Sequence, residues 1–162
     1  MGLVKVEPYQ GLHDEEIISH VLSIQAGEFH IPITRADQPD LCAIKEFYQK
    51  GAGNFWLALW DGKVIGTLGL LDIGRQQGAL RKMFVQKDFR GAKYRAAQSL
   101  LEETLNWAKE KNFRQLFLGT TPAYLAAHQF YRKNGFLEIQ MTDLPENFPV
   151  MKVDTIFFRF DF

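Results

Sequence analysis

The spacing of apolar residues divides the first third of the chain into short elements. A brief strand is predicted at residues 3–6, and residues 13–25 place apolar side chains three and four positions apart, which is the period of a helix packed on a core. Residues 26–39 are broken by prolines and polar side chains and predict a connecting loop. A second amphipathic helix is predicted over residues 40–49.

Three strands are predicted in the middle of the chain. Residues 54–60 and 64–73 are rich in large apolar side chains, and the Asp61-Gly62 pair between them is typical of a tight hairpin turn. A second turn at residues 74–78 leads into a third strand at residues 79–85. Successive hairpins make these strands antiparallel neighbours in one sheet.

The remaining chain alternates helices with single strands. A long amphipathic helix is predicted at residues 92–111, a strand at 115–118, a helix at 122–133 and a final strand at 150–160. Thr121 is expected to cap the shorter helix and Asn134-Gly135 to end it. This order predicts an α/β (α+β) fold, with a mixed, mostly antiparallel sheet flanked by helices, in one domain spanning residues 1–162.

The composition restricts the class of protein. The 162 residues carry 19 basic and 19 acidic side chains, and this balance argues against a protein that coats nucleic acid. Cys42 is the only cysteine and the four histidines are scattered, so neither an intramolecular disulfide nor a metal site is predicted. The first residues do not resemble a signal peptide, and no run approaches the ~20 apolar residues of a membrane span. A cytoplasmic protein without a membrane partner is expected.

Cationic side chains concentrate in one segment of this neutral chain. Residues 81–95 contain six of them against Asp88 alone: Arg81, Lys82, Lys87, Arg90, Lys93 and Arg95. The segment runs from a predicted strand into a predicted helix, and free N–H groups at a helix start form a ready site for phosphate. Taken alone, such a run is more often a solvated surface, and this interpretation stays open for the segment by itself.

Two segments together resemble the GCN5-related N-acetyltransferase (GNAT) family. The first is the strand at 80–85 with the Arg90-Gly91 turn and the helix that follows, and the second is residues 126–136, which contain Phe130-Tyr131 and end in Gly135-Phe136. With the elements around them, the resemblance covers essentially the whole chain. It implies a GNAT-like fold and a transferase that moves an acetyl group from acetyl-CoA to a primary amine of a small molecule or peptide, by direct attack in a ternary complex.

The resemblance also implies where the cofactor binds. The pyrophosphate of coenzyme A would lie on the backbone of the strand–turn–helix, with Arg90 and Gly91 at the family's usual positions and with Lys93 and Arg95 where small residues are common. Backbone groups of the strand would bind the pantetheine arm. The implied cofactor-binding residues are Met83, Phe84, Val85, Arg90, Gly91, Ala92, Lys93, Tyr94, Arg95, Ala96, Ala97 and His128.

Tyr131 is the implied catalytic residue. A phenol with a usual pKa of about 10 stays protonated at neutral pH, and the resemblance makes Tyr131 the general acid for the departing thiolate. A backbone N–H of Phe84 or Val85 is the expected donor to the tetrahedral oxyanion. The strand at 80–85 has no carboxylate, so the general base stays open among Glu28, His30, Asp72 and a water chain.

The acceptor is expected between the loops at residues 28–38 and 142–151. Acidic side chains there would attract a cationic amine, namely Glu28, Asp37, Asp143 and Glu146. Apolar side chains would form the walls, namely Phe29, Ile31 and Phe148.

Two alternatives to an acetyltransferase remain, a non-catalytic acyl-CoA-binding module and a regulatory module that binds another nucleotide through the basic segment. Residues 156–162 are apolar on both faces, which predicts either a buried strand or a homodimer contact.

Overall fold

One seven-stranded sheet forms the centre of the molecule, which is described here from a computed structural model covering residues 3–162. Met1 and Gly2, the first residues of the segment inspected above for a signal peptide, lie outside the described residues. The strands are β1 Lys5–Pro8, β2 Asn54–Trp60, β3 Lys63–Gly74, β4 Gln77–Val85, β5 Gln115–Thr120, β6 Leu137–Ile139 and β7 Ile156–Asp161. Their order in the sheet is β1-β2-β3-β4-β5-β7-β6.

Helices cover both faces of this sheet. The α-helices are α1 Asp14–Leu22, α2 Ile44–Tyr48, α3 Ala96–Glu110 and α4 Leu125–Lys133. A π-helical segment at Ser23–Glu28 prolongs α1. Short 3-10 helices lie at Arg35–Asp37, Pro39–Cys42, Lys87–Phe89 and Met141–Asp143.

The two faces of β2 belong to two different hydrophobic clusters. Phe55 and Leu57 pack with α1 and α2, whereas Trp56 and Ala58 pack in the cluster that contains α3 and Tyr131 of α4. Successive side chains of a strand point to opposite faces of a sheet, so a strand that is covered on both sides is apolar throughout. This explains the continuous apolar run at residues 54–60.

Within residues 3–162, β4 and β5 form the only parallel pairing of the sheet, and it is short. Three residue pairs join these strands, from Gln77 opposite Gln115 to Ala79 opposite Phe117. The other neighbours in the sheet are antiparallel. Beyond Ala79 the two strands diverge, so the rest of β4 has no strand partner on its β5 side. The three-pair junction is called the seam below.

The predicted fold class is confirmed, but two predicted helices begin too early. The helix predicted from residue 92 begins at Ala96, because residues 92–94 form a turn and Arg95 adopts a left-handed φ of 52°. The helix predicted from residue 122 begins at Leu125. There the Thr121 hydroxyl accepts the N–H of Ala123 at 2.9 Å, which closes a turn before the helix instead of capping it.

The C-terminal strand also begins later than predicted. It starts at Ile156 instead of residue 150, because a turn precedes it, in which the N–H of Asp154 donates to the carbonyl of Met151 at 3.0 Å. β7 lies between β5 and β6, with Phe157 and Phe158 buried. Within the apolar C-terminal run, Phe157 and Phe158 are therefore covered in the sheet, whereas Phe162 is 46% exposed.

Other boundaries near the N terminus differ as well. The first strand occupies Lys5–Pro8 instead of residues 3–6, and the helix predicted at 40–49 is α-helical only over Ile44–Tyr48. The loop predicted at 26–39 starts with the end of the π-helical segment. β6 was not predicted, because three residues are too few to show a period. The predicted end of α4 is confirmed, since Gly135 adopts the left-handed φ of 91° that follows many helices.

Candidate active site

The diverging ends of β4 and β5 open onto a cavity of about 510 Å³. Its walls come from β4, the end of β5, the start of α4, the π-helical segment and the loop before β7. Apolar residues of the predicted acceptor walls line it, namely Phe29, Ile31 and Phe148. The volume lies in the range that holds small-molecule ligands.

A bulge in β4 changes the direction of the strand at the cavity. Thr67 of β3 lies opposite Phe84 and Gly69 lies opposite Arg81, so β4 contains one residue more than β3 over this stretch. Lys82 takes the left-handed conformation there, with φ 57°, and its carbonyl accepts the Thr67 hydroxyl at 2.8 Å. Bulges are common beside active sites because they redirect a side chain.

The redirected Lys82 side chain forms a buried ion pair. Its ammonium lies 3.7 Å from Oδ2 of Asp40, and both side chains are about 95% inaccessible to solvent, with exposures of 5% and 4%. The Tyr48 hydroxyl donates to the same Asp40 oxygen at 2.6 Å. Burial lowers the pKa of Lys82 to about 8, although the attraction of Asp40 opposes this shift.

Arg81 is a second cation on the cavity wall. Its guanidinium donates to the Met151 sulfur at 3.1 Å and lies 5.4 Å from the centre of the Phe47 ring. A thioether is a weak acceptor, and among residues 3–162 no carboxylate forms a salt bridge with Arg81. This arginine therefore presents a charge to the cavity without a strong protein partner.

Asp154 lies at the end of β5, where the two strands separate. The N–H of Thr155 donates to the carbonyl of Thr120 at 2.9 Å, which ties the Asp154 loop to β5. The Asp154 carboxylate lies so close over Gly119 that a Cβ at residue 119 would be 2.6 Å from Oδ2. A larger residue at position 119 would displace this carboxylate from its observed place.

Asp154 is the only acidic side chain that lines the cavity among the described residues. Burial raises its pKa to about 6, while a hydrogen bond with the backbone of Met151 and the cations Arg81 and Lys82 act in the opposite direction. At neutral pH this carboxyl is mostly ionised, yet its pKa is much closer to neutrality than that of an exposed aspartate.

The Tyr131 hydroxyl faces the same cavity. Its ring packs between Phe136 and Phe158, with centroid distances of 5.6 and 5.7 Å, and the residue is 7% exposed. No protein group in residues 3–162 forms a hydrogen bond with this hydroxyl. Burial raises its pKa above the usual value, with smaller contributions from the charges of Asp154 and Tyr124. The phenol therefore remains a proton donor across the neutral range.

Tyr124 joins three walls of the cavity. Its ring packs edge-on against Phe29 of the acceptor side, 4.9 Å between centroids, and against Phe84 of β4, 5.8 Å away. Burial raises its pKa to about 12, followed by the charges of Asp154 and Glu28. Tyr124 is thus a protonated aromatic wall between the ends of β4 and α4.

Arg90 and Glu28 form a forked ion pair beside the cavity. The two guanidinium nitrogens contact the carboxylate oxygens at 2.6 and 2.7 Å, and Nε donates to the Val85 carbonyl at 2.8 Å. The pair lowers the pKa of Glu28. Glu28, one of the suspected bases, is therefore held as an ionised partner of Arg90 and does not line the cavity.

A neutral histidine supports the end of β4 from the other side. His20 donates through Nε2 to the Phe84 carbonyl at 3.1 Å, and its Nδ1 accepts the Gln86 amide at 2.7 Å. Burial lowers the pKa of His20 to about 4. Both contacts fit the neutral imidazole, in which one ring nitrogen donates and the other accepts.

The predicted cofactor residues divide into two groups. Half of them line the cavity: Met83, Phe84, Val85, Arg90, Gly91 and Ala97. The others lie in the turn and at the start of α3 beyond the cavity lining: Ala92, Lys93, Tyr94, Arg95 and Ala96. His128 is buried and does not line the cavity, because its Nε2 donates to the Thr121 carbonyl at 2.8 Å.

The other acidic and basic candidates serve local structure or lie on the surface. Asp72 accepts N–H groups of Ala52 and Gly74, and His30 is exposed with a left-handed φ of 56°. Asp37 and Asp143 each accept backbone N–H groups three residues earlier. None of these, nor Glu146, lines the cavity. The four acidic side chains expected around a cationic amine are therefore not at the cavity, whose wall carries cations and the single carboxylate of Asp154.

Among residues 3–162, no group of three or more His, Cys, Asp or Glu side chains lies together as metal ligands would. No helix in this range has both the length and the apolar character needed to cross a bilayer.

The seam, the turn after β4 and Tyr131 meet at one cavity, and comparison with known sequences gives the family of the chain. The profile of the acetyltransferase (GNAT) family matches residues 18–136, so the chain belongs to this family, as predicted. A GNAT-family acetyltransferase from Staphylococcus aureus Mu50 is 38% identical and superposes with a TM-score of 0.94 over 98% of both chains.

Two further comparisons are more distant. A GNAT acetyltransferase from Elizabethkingia anophelis, solved with acetyl-CoA bound, is 17% identical with a TM-score of 0.63 over 98% of each chain, a likeness of fold alone. The N-acetylaspartate synthetase of Xenopus tropicalis is 31% identical over 108 residues, which are 64% of this chain and 38% of that protein. This chain therefore spans little more than a third of that relative's length.

Proposed function

We propose that this protein transfers the acetyl group of acetyl-CoA to the primary amine of a small acceptor that also carries a carboxylate. The observation that supports this most directly is the composition of one cavity. It combines an unpartnered strand edge, a tyrosine hydroxyl free to donate a proton, and the cationic side chains of Arg81 and Lys82.

The cofactor part of the proposal is supported by the edge of β4 beyond the seam. An extended ligand with amide groups can pair with such an edge as an added strand does, and the pantetheine arm of coenzyme A has two amides. Residues 92–96 then lie beyond the cavity lining, where backbone N–H groups and the Lys93 side chain are available to the phosphates and where Arg95 contacts Glu102 at 3.2 Å. Acetyl-CoA supplies the activated acetyl thioester.

The role proposed for Tyr131 is to protonate the departing thiolate. When the acceptor amine attacks the thioester carbonyl, a tetrahedral oxyanion forms, and the C–S bond then breaks. The raised pKa of Tyr131 keeps its proton in place until the sulfur requires it. A backbone N–H at Phe84 or Val85 remains the proposed donor to the oxyanion.

The acceptor class follows from charge. Arg81 has only a thioether as hydrogen-bond acceptor in residues 3–162, and a planar guanidinium binds a carboxylate through two parallel hydrogen bonds. An amine that also carries a carboxylate would give Arg81 the partner it lacks. The N-acetylaspartate synthetases among the relatives have a name that refers to an acetylated amino acid, which agrees with this class.

Ligand binding is the first test. Acetyl-CoA and CoA are expected to raise the melting temperature, and ATP is expected to have little effect. Stabilisation by ATP without stabilisation by CoA would favour the nucleotide-binding alternative and refute the proposal. Stabilisation by acetyl-CoA, with no thiol release from any amine of a broad panel, would favour the non-catalytic acyl-CoA-binding module.

The acceptor test uses matched pairs of amines. Thiol release is measured with amino acids, aspartate among them, and with the same molecules lacking the carboxylate. Arg81→Met is expected to raise KM at least ~10-fold for the carboxylated members, since a charge-assisted hydrogen bond contributes about 1.5–3 kcal/mol. Arg114→Met is the control, because Arg114 is exposed and does not line the cavity. Equal KM changes for both members of a pair would refute the carboxylate class.

Three further predictions remain outside these tests. They concern a single acetyltransferase domain over residues 1–162, a location in the cytoplasm, and the homodimer contact that the sequence left open beside a buried strand. Limited proteolysis, cell fractionation and size-exclusion chromatography with light scattering would check them in turn.

A further inference from the structure

The proposed reaction needs a group that takes a proton from the acceptor ammonium, and we propose that Asp154 is this general base. This inference rests on the proposed function and adds a residue to it. None of the three side chains suspected from the sequence has the required location, since Glu28, His30 and Asp72 do not line the cavity.

The fold fixes the Asp154 carboxylate at the end of the seam. The turn hydrogen bond to Met151 and the bond from Thr155 to Thr120 hold its loop, and the carboxylate lies against the backbone of Gly119. The same cavity contains the Tyr131 hydroxyl and the open edge of β4. A base at this end of β5 and an acid on α4 therefore share the space in which the acetyl group would be transferred.

The other charged groups of the cavity already have protein partners or carry the wrong charge. Lys82 is paired with the buried Asp40, and Arg90 with Glu28. Arg81 is a guanidinium and stays protonated. Among residues 3–162, Asp154 is the only carboxylate on the lining, and no side chain there forms a hydrogen bond or salt bridge with it, although the backbone of Met151 contributes a hydrogen bond that lowers its pKa. It is free to accept a proton from a ligand.

Protons and electron pairs balance over the proposed reaction. The acceptor ammonium gives one proton to Asp154, and its lone pair then forms the N–C bond to the thioester carbonyl. The C–S bond breaks, and the sulfur takes the Tyr131 proton. The nitrogen loses its second proton, which restores Tyr131, and Asp154 releases its own to solvent. The net result is an amide, CoA thiol and one proton.

The electrostatic surroundings suit a base at neutral pH. The groups that face Asp154 are Arg81 and Lys82 from β4, Tyr131 from α4 and Tyr124 from the loop before it. Both tyrosines are protonated and neutral at pH 7. Burial of the carboxyl raises the pKa of Asp154 to about 6. A general base is most efficient when its pKa lies near the working pH, and this value is close to neutrality.

The experiment is the pH dependence of thiol release for Asp154→Asn, with Asp154→Glu as the conservative variant and Asp61→Asn as the control. Asp61 is exposed in the β2–β3 turn, where its φ of 48° also suits asparagine. The wild type is expected to show kcat rising through a pKa near 6 to a plateau. Asp154→Asn should lose this limb and about 10²-fold of kcat at pH 7.5, with rate recovering as the free amine forms at high pH.

Binding measurements separate a lost base from a lost fold. The Kd for acetyl-CoA, taken from thermal shifts, is expected to change less than threefold in Asp154→Asn, and Asp154→Glu should recover part of kcat. If the wild type is active and Asp154→Asn keeps the wild-type pH profile, the assignment of Asp154 as the base is overturned, but the proposed function is not. The base assignment is also overturned if the rise of kcat near pH 6 disappears in Lys82→Met but persists in Asp154→Asn. A wild type that binds CoA but is inactive with every amine overturns the proposed function itself.

Discussion

Asp154→Asn is expected to make the protein more stable at neutral pH, although it removes a side chain from the proposed active site. Burial raises the pKa of this carboxyl from its usual 3.8 to about 6, so the charged form is less favourable in the folded than in the unfolded chain. At ~1.4 kcal/mol per pKa unit, the difference corresponds to about 3 kcal/mol. Solvent in the open cavity screens part of this, which leaves a gain of about 1–2 kcal/mol for the neutral asparagine.

The sign of the effect depends on pH. Because the pKa of Asp154 is higher in the folded chain than in the unfolded chain, this carboxyl contributes its full stabilisation to the wild type below pH 3.8. The contribution is lost as the pH rises through about 6. Urea denaturation of wild type, Asp154→Asn and Asp61→Asn, without CoA, measures the free energy of unfolding at pH 4 and pH 7.5. The gain for Asp154→Asn should appear at pH 7.5 and be much smaller at pH 4. Equal gains at both pH values, or a loss at pH 7.5, would refute the reasoning.

Three other changes test neighbouring parts of the site. Tyr131→Phe should lower kcat by about 10²-fold with little change in CoA affinity, because only the donated proton is removed, and a comparable loss of CoA affinity would contradict this role. Gly119→Ala should lower kcat about tenfold or more by displacing Asp154, whereas Gly27→Ala, where a Cβ has open space, should not; steady-state thiol release compares them. The contribution of His20 to the free energy of unfolding should fall by up to about 3 kcal/mol between pH 6.5 and pH 4, because the unfolded chain binds the His20 proton first, while the contribution of Asp154 changes in the opposite direction. Urea titrations should show this fall as the difference between the wild type and His20→Gln.

The elements that were predicted well have a long run of apolar residues or a distinctive turn. β2 and β3 begin and end within a residue of prediction because apolar side chains fill both faces and Asp61-Gly62 joins them. The start of α3 was predicted wrongly because Ala92 and Tyr94 are compatible with a helix. Only the three-dimensional path of the turn, with Arg95 in the left-handed region, determines that the helix begins at Ala96.

The cavity shows which parts of a site a linear pattern can reveal. Tyr131 was selected because it belongs to a motif, and it lines the cavity, while its catalytic role stays a prediction. Asp154 was not recognised, since it is a single acidic residue in a loop that was predicted to be strand. The only signal for Lys82 was a lysine inside an otherwise apolar strand. Its burial depends on a bulge and on Asp40, 42 residues earlier in the chain, and neither can be inferred from local spacing.

The shortness of the seam has a mechanical consequence. Three residue pairs, from Gln77–Gln115 to Ala79–Phe117, are the only ladder between a four-stranded and a three-stranded half of the sheet within residues 3–162. A ligand that pairs with β4 and also contacts β5 would stabilise the contact between the two halves of the sheet. Amide hydrogens of β5 and β7 should then exchange with solvent more slowly when CoA is bound, while those of β1 and β2 change little. The same narrow junction that is proposed to admit the cofactor would make the C-terminal half the first part of the sheet to open when CoA is absent.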